Sequence, residues 1–428
     1  MKKRKYRRII FMLTIAFIYV NSLTAQNNLQ FYLNTAKQNS PTLKENTNLL
    51  RINELNKSLD ESQYKLPQIS LTSNYLFAPY FNNNGKIISA NPDPNAIGYD
   101  AGITNGGLYS AQINIEKNIF NGGFTVALQN QSNIQQAQYK YGYELESRNL
   151  KKQITEQYLN AYKSLMLYNL SKDILQNIET QLQLTGELVE KGYAKSQSYL
   201  LLKIELQTQK IALKEIFQQY KNDLLQLNSL CGIKDTQTVY IDSVRLSMHE
   251  KNSTFSFLDK YNLDSMAAAN QQELFETKYN PQVKLFFNTG LNAVELSGIQ
   301  RKFGMSAGID FMLPIYDGGQ KDITHQQTEI ALNTIKNFKN YALTNIELQK
   351  QSVLLNIQQL QDNLREIGMQ LKDYKDLINL SEKQLNTGDI SMIEYLTLLK
   401  NFIELRKTYI EKEIALQLEI NNYNYWNE

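Results

Sequence analysis

Three side chains in this 428-residue chain belong to the two scarcest residue types able to carry nucleophilic, general-base or zinc chemistry. They are Cys231, the only cysteine, and His249 and His325, the only histidines. A thiol beside an imidazole can act as nucleophile and base, and Cys231 with His249 is the one pairing to weigh, but no local motif surrounds either residue. A single cysteine makes no internal disulfide and no thiolate cluster for zinc. Two glycine turns, Asn121-Gly122-Gly123 and Asp317-Gly318-Gly319, resemble phosphate cradles, yet neither runs on into the Lys-Ser/Thr that completes such a loop. Residue types and spacing point away from an enzyme, and they imply no metal and no cofactor.

The same glycines carry a different message once their spacing is compared. Phe120-Asn121-Gly122-Gly123 returns as Tyr316-Asp317-Gly318-Gly319, and Lys191-Gly192 with Tyr199-Leu200 returns as Thr387-Gly388 with Tyr395-Leu396, all at an offset of 196. Leu66-Pro67-Gln68-Ile69 and Asn280-Pro281-Gln282-Val283 lie 214 apart, so the first copy holds 18 extra residues between its Pro-Gln and Gly-Gly markers. Markers repeating at one offset mean an internal duplication, a unit of about 200 residues used twice.

The N-terminus reads as an export signal. Residues 2–8 hold six Lys/Arg and no acid, Ile9 to Val20 is apolar, and Leu23-Thr24-Ala25 offers a cleavage point before Gln26. A dozen apolar residues fall short of the roughly 20 that span a bilayer as a helix. Without residues 1–25, 39 Lys+Arg face 42 Asp+Glu, so the net charge of +3 becomes −3. The basic excess belongs to the signal, which removes any argument for a nucleic-acid partner.

Four stretches alternate with period two, the pattern of a strand. Ile69, Leu71, Tyr75 and Phe77 oppose Ser70, Thr72 and Asn74; Tyr109, Ala111, Ile113, Ile115 and Ile119 oppose Ser110, Gln112, Asn114, Glu116 and Asn118. Val283, Leu285 and Phe287 follow in the second copy, then Met305, Ala307, Ile309, Phe311 and Leu313 opposite Ser306, Gly308 and Asp310. Strands of roughly 9–11 residues suit a tilted crossing of a membrane. Four strands cannot close a barrel alone, since open edges in lipid leave backbone groups unsatisfied, so three chains pooling twelve strands are expected. The Asn/Gly/Pro-rich stretch from Pro79 to Gly107 and a shorter one around Glu295 then become outer loops. The Gly-Gly turns lie at the periplasmic rim, where Asn121 and Asp317 are expected as helix caps.

Outside these strands proline is nearly absent, and long helices are expected. Ile357, Leu360, Leu364, Ile367, Leu371, Tyr374 and Ile378 keep a three-four spacing; Ile154, Tyr158, Ala161, Leu165 and Tyr168 do the same before the phase shifts to Leu175, Ile178 and Leu182. Such a seam is that of a coiled coil. From Gly123 to Lys191 runs a helix of roughly 100 Å at 1.5 Å per residue. The division expected is a signal peptide over 1–25, then a first repeat over 26–230, with a helix at Leu29 to Gln63, a strand hairpin at 67–120 and a helical hairpin at 123–230. A linker over 231–256 leads to a second repeat over 257–428, with a helix at Phe257 to Lys278, a strand hairpin at 281–316 and a helical hairpin at 319–428.

In its twofold strand-hairpin and helix-hairpin order, its two Gly-Gly turns, and the segment Gly388-Asp389-Ile390-Ser391-Met392-Ile393-Glu394-Tyr395-Leu396, the mature chain resembles the TolC family of outer-membrane efflux ducts. The resemblance implies a mixed α/β membrane protein: a trimeric 12-stranded transmembrane β-barrel, four strands per chain, continued by a long periplasmic α-helical coiled-coil barrel. It implies a periplasmic adaptor protein and an inner-membrane pump as partners, outer-membrane lipid around the barrel, and passive conduction for efflux or type I secretion. Gly192, Tyr193, Ala194 and Ser196, with Gly388, Asp389, Ile390 and Ser391, are then the hairpin tips expected to dock the adaptor. By position Glu394, with Thr397 where a second acid would stand, takes the role of the entrance gate. The alternative from another class is a periplasmic coiled-coil scaffold without a pore, its four strands forming a small soluble sheet.

Overall fold

The computed structural model describes residues 28–76, 79–83, 85–89, 97, 109–249, 256–293, 296 and 298–427. The signal peptide expected over 1–25, most of the loop expected between Pro79 and Gly107, and Glu295 lie outside the described residues. The chain forms two compact units. One takes residues 46–141 and 258–340, the other residues 1–45, 142–257 and 341–428.

The first of these is built on a four-stranded antiparallel sheet. Its strands are β1 (Gln68–Tyr75), β4 (Tyr109–Asn121), β5 (Gln282–Ala293) and β6 (Phe303–Met312), in the order β1-β4-β5-β6. Pairing across the sheet sorts the side chains by face, with one charged exception: Lys117 joins Leu285 and Ile309 on the apolar side. One face carries the rows Ile69–Ile115–Phe287–Ala307, Leu71–Ile113–Thr289–Met305 and Phe120–Val283–Phe311; the other carries Ser70–Asn114–Asn288–Ser306 and Thr72–Gln112–Gly290–Gly304. An irregularity between Asn118 and Phe120 inserts Ile119 without a partner, which keeps Phe120 on the apolar side. Phe286 breaks the polar pattern, and Gly308 leaves room for it: a Cβ at 308 would stand 2.4 Å from the tip of the Phe286 ring.

The apolar face is not covered within the chain. Leu71, Met305, Ile309 and Phe311 are each about two-thirds to three-quarters exposed. A contiguous apolar surface of this kind on a monomer marks contact with lipid or protein. Among the described residues no helix is long and apolar enough to cross a membrane. Within the long first loop, β2 (Tyr80–Asn83) and β3 (Lys86–Ser89) pair as a small hairpin, and Phe81 bridges to Ile97. This hairpin was not expected from the Asn/Gly/Pro-rich composition.

The helices follow the expected seams with one correction. In place of a single helix over Leu29 to Gln63 there are two, α1 (Leu29–Asn39) and α2 (Pro41–Lys65). Pro41 has no N–H and disfavours helical backbone at the residue before it. The break is satisfied by Ser40, whose N–H donates to Ala36 O at 2.8 Å and whose hydroxyl accepts from Leu43 N at 3.3 Å. After β4 come α3 (Phe124–Glu190) and α4 (Ser196–Leu230); α5 (Asp259–Glu276) precedes β5; α6 (Gln320–Thr387) and α7 (Met392–Asn427) follow β6.

Each strand-to-helix turn is made by its glycines. Gly122, Gly123, Gly318 and Gly319 all have positive φ, between 61° and 88°, where a side chain is strained. The two turns are otherwise held differently. Asp317 caps α6, its carboxylate accepting from the N–H groups of Gly319 and Lys321 at 2.9 Å each and from the Tyr279 hydroxyl. The bond from Tyr279 holds the Asp317 carboxyl below its usual range and pushes the phenol up to about 12. Asn121, expected to cap α3, instead donates its amide to the Thr125 hydroxyl, and Asn280 closes that turn by donating to Gly122 O at 2.6 Å.

That asymmetry gives a measurable ranking. A Cβ at Gly122 would stand 2.5 Å from Asn280 Cβ and 3.0 Å from Thr277 O, whereas one at Gly318 meets nothing within 4 Å. Gly318→Ala should therefore cost only backbone strain, about 1 kcal/mol, and Gly122→Ala strain plus overpacking, about 2–4 kcal/mol. Thermal unfolding of the two variants is the check, and equal losses would show that the Asn280 contact plays no part.

Candidate functional site

The second unit brings the reversals of the two helical hairpins together. Apolar positions three and four apart on α3, α4, α6 and α7 meet in one cluster, in which Ile178, Leu202, Tyr395, Leu396 and Ile403 are among the buried members. Tyr395 is 2% exposed, and its hydroxyl reaches Glu382 Oε1 at 3.3 Å; burial, then the Glu382 charge, raises its pKa. One ion pair crosses between the hairpins here. Lys400 Nζ on α7 lies 3.2 Å from Glu205 Oε2 on α4, and Glu205 is nearly buried.

Both hairpins reverse through the same hydrogen-bonded motif. In the first, Tyr193 N donates to Leu188 O at 2.8 Å and Gly192 N to Val189 O at 3.0 Å; in the second, Asp389 N donates to Gln384 O at 2.8 Å and Gly388 N to Leu385 O at 3.2 Å. This is a Schellman cap, which needs a left-handed residue at the position that Gly192 (φ 76°) and Gly388 (φ 83°) occupy. The helix starts that follow are not alike. Ser391 and Glu394 form a reciprocal capping box: Glu394 N donates to Ser391 Oγ at 3.2 Å and Ser391 N to Glu394 Oε2 at 2.8 Å. At the first tip Lys195 is the capping residue and makes no side-chain cap.

The two reversals frame one open cleft of about 480 Å³, whose lining includes Tyr193, Ala194, Gly388, Asp389, Ile390 and Ser391. Six of the eight residues expected at the tips are thus brought together. Gly192 and Ser196 stand exposed at the turn without joining the lining. Tyr193 is 81% exposed, while Ile390 packs partly against the apolar cluster beneath. Asp389 accepts from the Thr387 hydroxyl at 2.5 Å. Glu394 and Thr397 are exposed but outside the cleft; Thr397 returns its hydroxyl to Ile393 O at 2.8 Å. The capping role of Glu394 was readable as Ser-x-x-Glu at a helix start and was missed.

The residues first singled out for chemistry are placed otherwise. Cys231 is fully buried among Tyr32, Tyr158, Tyr220 and Leu227, and burial pushes its thiol up to about 12, leaving it neutral and inert. Its carbonyl accepts from the Asn39 amide at 2.9 Å. His249 is fixed through its backbone N–H to Asn424 Oδ1 at 2.9 Å, at the end of an extended segment that α7 also grips through Gln417. His325 lies in the other unit, its Nδ1 2.8 Å from the Gln272 amide.

The capping box makes the start of α7 sensitive to pH. The bonds from Ser391 hold the Glu394 carboxyl below its ordinary value of 4.5. A carboxyl lowered on folding adds stability above its unfolded pKa and loses it as pH falls through the folded one. Amide exchange over residues 391–396, corrected for intrinsic rates, should be faster in Glu394→Ala than in the parent at pH 7. Glu394→Gln should fall between them, and the parent should approach Glu394→Ala below about pH 4. Equal protection in all three at pH 7 would deny the box any role in holding the tip.

No protein-family model and no curated protein matches the sequence. Solved structures do match, over nearly the whole chain. The outer membrane protein VceC from Vibrio cholerae superposes with a TM-score of 0.69 at 14% identity, covering 92% of this chain and 95% of that one. The Campylobacter jejuni CmeC outer membrane channel gives 0.66 at 14%, covering 94% and 86%. The open state of the Neisseria gonorrhoeae MtrE outer membrane channel gives 0.64 at 11%, covering 93% and 88%. Likeness at such identities is likeness of architecture, and the chain has the fold of outer-membrane channel proteins.

Proposed function

We propose that this protein is an outer-membrane exit duct of the TolC family, a homotrimer that passively conducts solutes delivered by an inner-membrane pump through a periplasmic adaptor. The observation that carries the reading is the sheet. It has four antiparallel strands, one apolar face exposed along its length, a polar opposite face and two outer strands, β1 and β6, whose outer edges have no partner among the described residues. In lipid such edges must be paired, and three chains joined edge to edge make a closed twelve-stranded barrel with its apolar face outward and a water-filled lumen inside. The repeated turns and helical hairpins support descent by duplication, with the hairpins forming a periplasmic tunnel. The cleft framed by Tyr193, Ala194, Asp389 and Ile390 is the adaptor's docking point, and the three copies of Glu394 line the entrance.

The protein should resist alkaline extraction from membranes, need detergent for release, and have the mass of three chains in mild detergent. Release by alkali as a monomer with its β-structure intact would end the reading in favour of a soluble scaffold. Ala194→Arg and Asp389→Arg should abolish export while leaving the trimer assembled; unchanged export in both would remove the docking assignment and leave the duct.

A further inference from the structure

The polar face of the sheet is not uniformly polar. From β1 to β6 its described side chains are mostly hydroxyls, amides and glycine, and Glu116, Lys284 and Asp310 are its only ionisable groups. They fall in two successive rows, Gln68–Glu116–Phe286–Gly308 and Asn118–Lys284–Asp310, at the end of the sheet where the chain turns into α3 and α6. The three charges are not evenly matched. Lys284 Nζ lies 2.6 Å from Glu116 Oε2, whereas Asp310, directly across from Lys284 in the ladder, has no ion-pair partner among the described residues. Lys284 and Asp310 border an open cleft of about 460 Å³ at this end of the sheet, together with Asn118, Gln282, Met312 and, from outside the sheet, Lys278, whose ammonium lies 4.3 Å from the Phe275 ring centroid.

We infer that this belt gives the duct its charge preference, with Asp310 as the uncompensated carboxylate that favours cationic over anionic solutes at the foot of the barrel. The inference rests on the reading of the polar face as a lumen. In that arrangement the sheet's own charges on this face sum to −1 per chain, and three Asp310 carboxylates share one level of a confined aqueous passage, where fields of one sign raise the local concentration of opposite charge. Glu116 is neutralised by Lys284, so loss of Lys284 adds a second free acid per chain and strengthens the same preference. Among the described residues the remaining rows of that face carry no charge, so there the belt is the one level at which the sheet itself discriminates by sign.

The test is a cysteine reporter beside the belt. Met312 is exposed on the same strand and face, two residues from Asp310 and so about 7 Å along the strand. In purified full-length protein carrying Met312→Cys, modification by a cationic and by an anionic methanethiosulfonate is followed by mass spectrometry, with buried Cys231 as an unreactive background. At about 10 mM salt, where screening is weak, Asp310→Asn should slow the cationic reagent and speed the anionic one by about threefold each. Lys284→Gln should move both rates the other way, and about 1 M salt should erase both differences. A second reporter, Ser306→Cys, four residues from Asp310, should show the same signs with smaller changes. Equal rate ratios in all backgrounds would overturn the belt while leaving the lumen. Failure of both reporters to react with either reagent would overturn the lumen itself.

Discussion

The pairing of β4 with β5 is the constraint from which the rest of this structure follows. These strands lie far apart in sequence, yet their ladder runs from Tyr109–Ala293 to Asn121–Gln282 and joins two local hairpins into one sheet. Because side chains alternate with period two, a slip of one residue here would send every apolar side chain of one hairpin to the opposite face. The unpaired Ile119 absorbs the one place where the ladder and the following turn disagree. With that register fixed, one face is apolar across all four strands apart from positions such as Lys117 and Thr289, and both Gly-Gly turns leave the same end of the sheet.

The helical unit obeys a different rule. Its helices have no ladder to fix their pairing, so the reversals must define where each one ends. Identical Schellman bonds at Gly192 and Gly388 do this, and the apolar seam then decides which helices meet. The extended segment after α4 has no ladder either, and side chains hold it: Tyr158 OH donates to Asp242 O at 2.7 Å, Asn424 Nδ2 to Ser247 O at 2.9 Å, and Leu246 N to Gln417 Oε1 at 2.6 Å. Buried polar groups in this unit therefore position backbone that has no regular partner of its own.

Much of this was legible in the sequence because it is local. Period-two alternation located the four strands, the glycines located the turns, and three-four spacing gave the seams of α3 and α6. The break at Ser40-Pro41 is equally local: Pro41 marks it, against a longer helical pattern that runs across it. What was not legible depends on residues distant in the chain. Nothing near Lys400 announces Glu205, nothing near Asn121 shows that Asn280 closes its turn, and only the assembled core shows that Cys231 is sealed among tyrosines. The tip glycines were found, but the cleft they frame with their neighbours needed both hairpins in place.

The close approach of Phe286 to Gly308 links two positions on neighbouring strands. A Cβ at 308 would stand 2.4 Å from the tip of the Phe286 ring, so the ring would have to swing aside for any other residue there. Related chains that gain a side chain at 308 should therefore favour a smaller one at 286. Their joint variation would report the strand register from sequences alone, at the one level of the polar wall where a large ring replaces an amide.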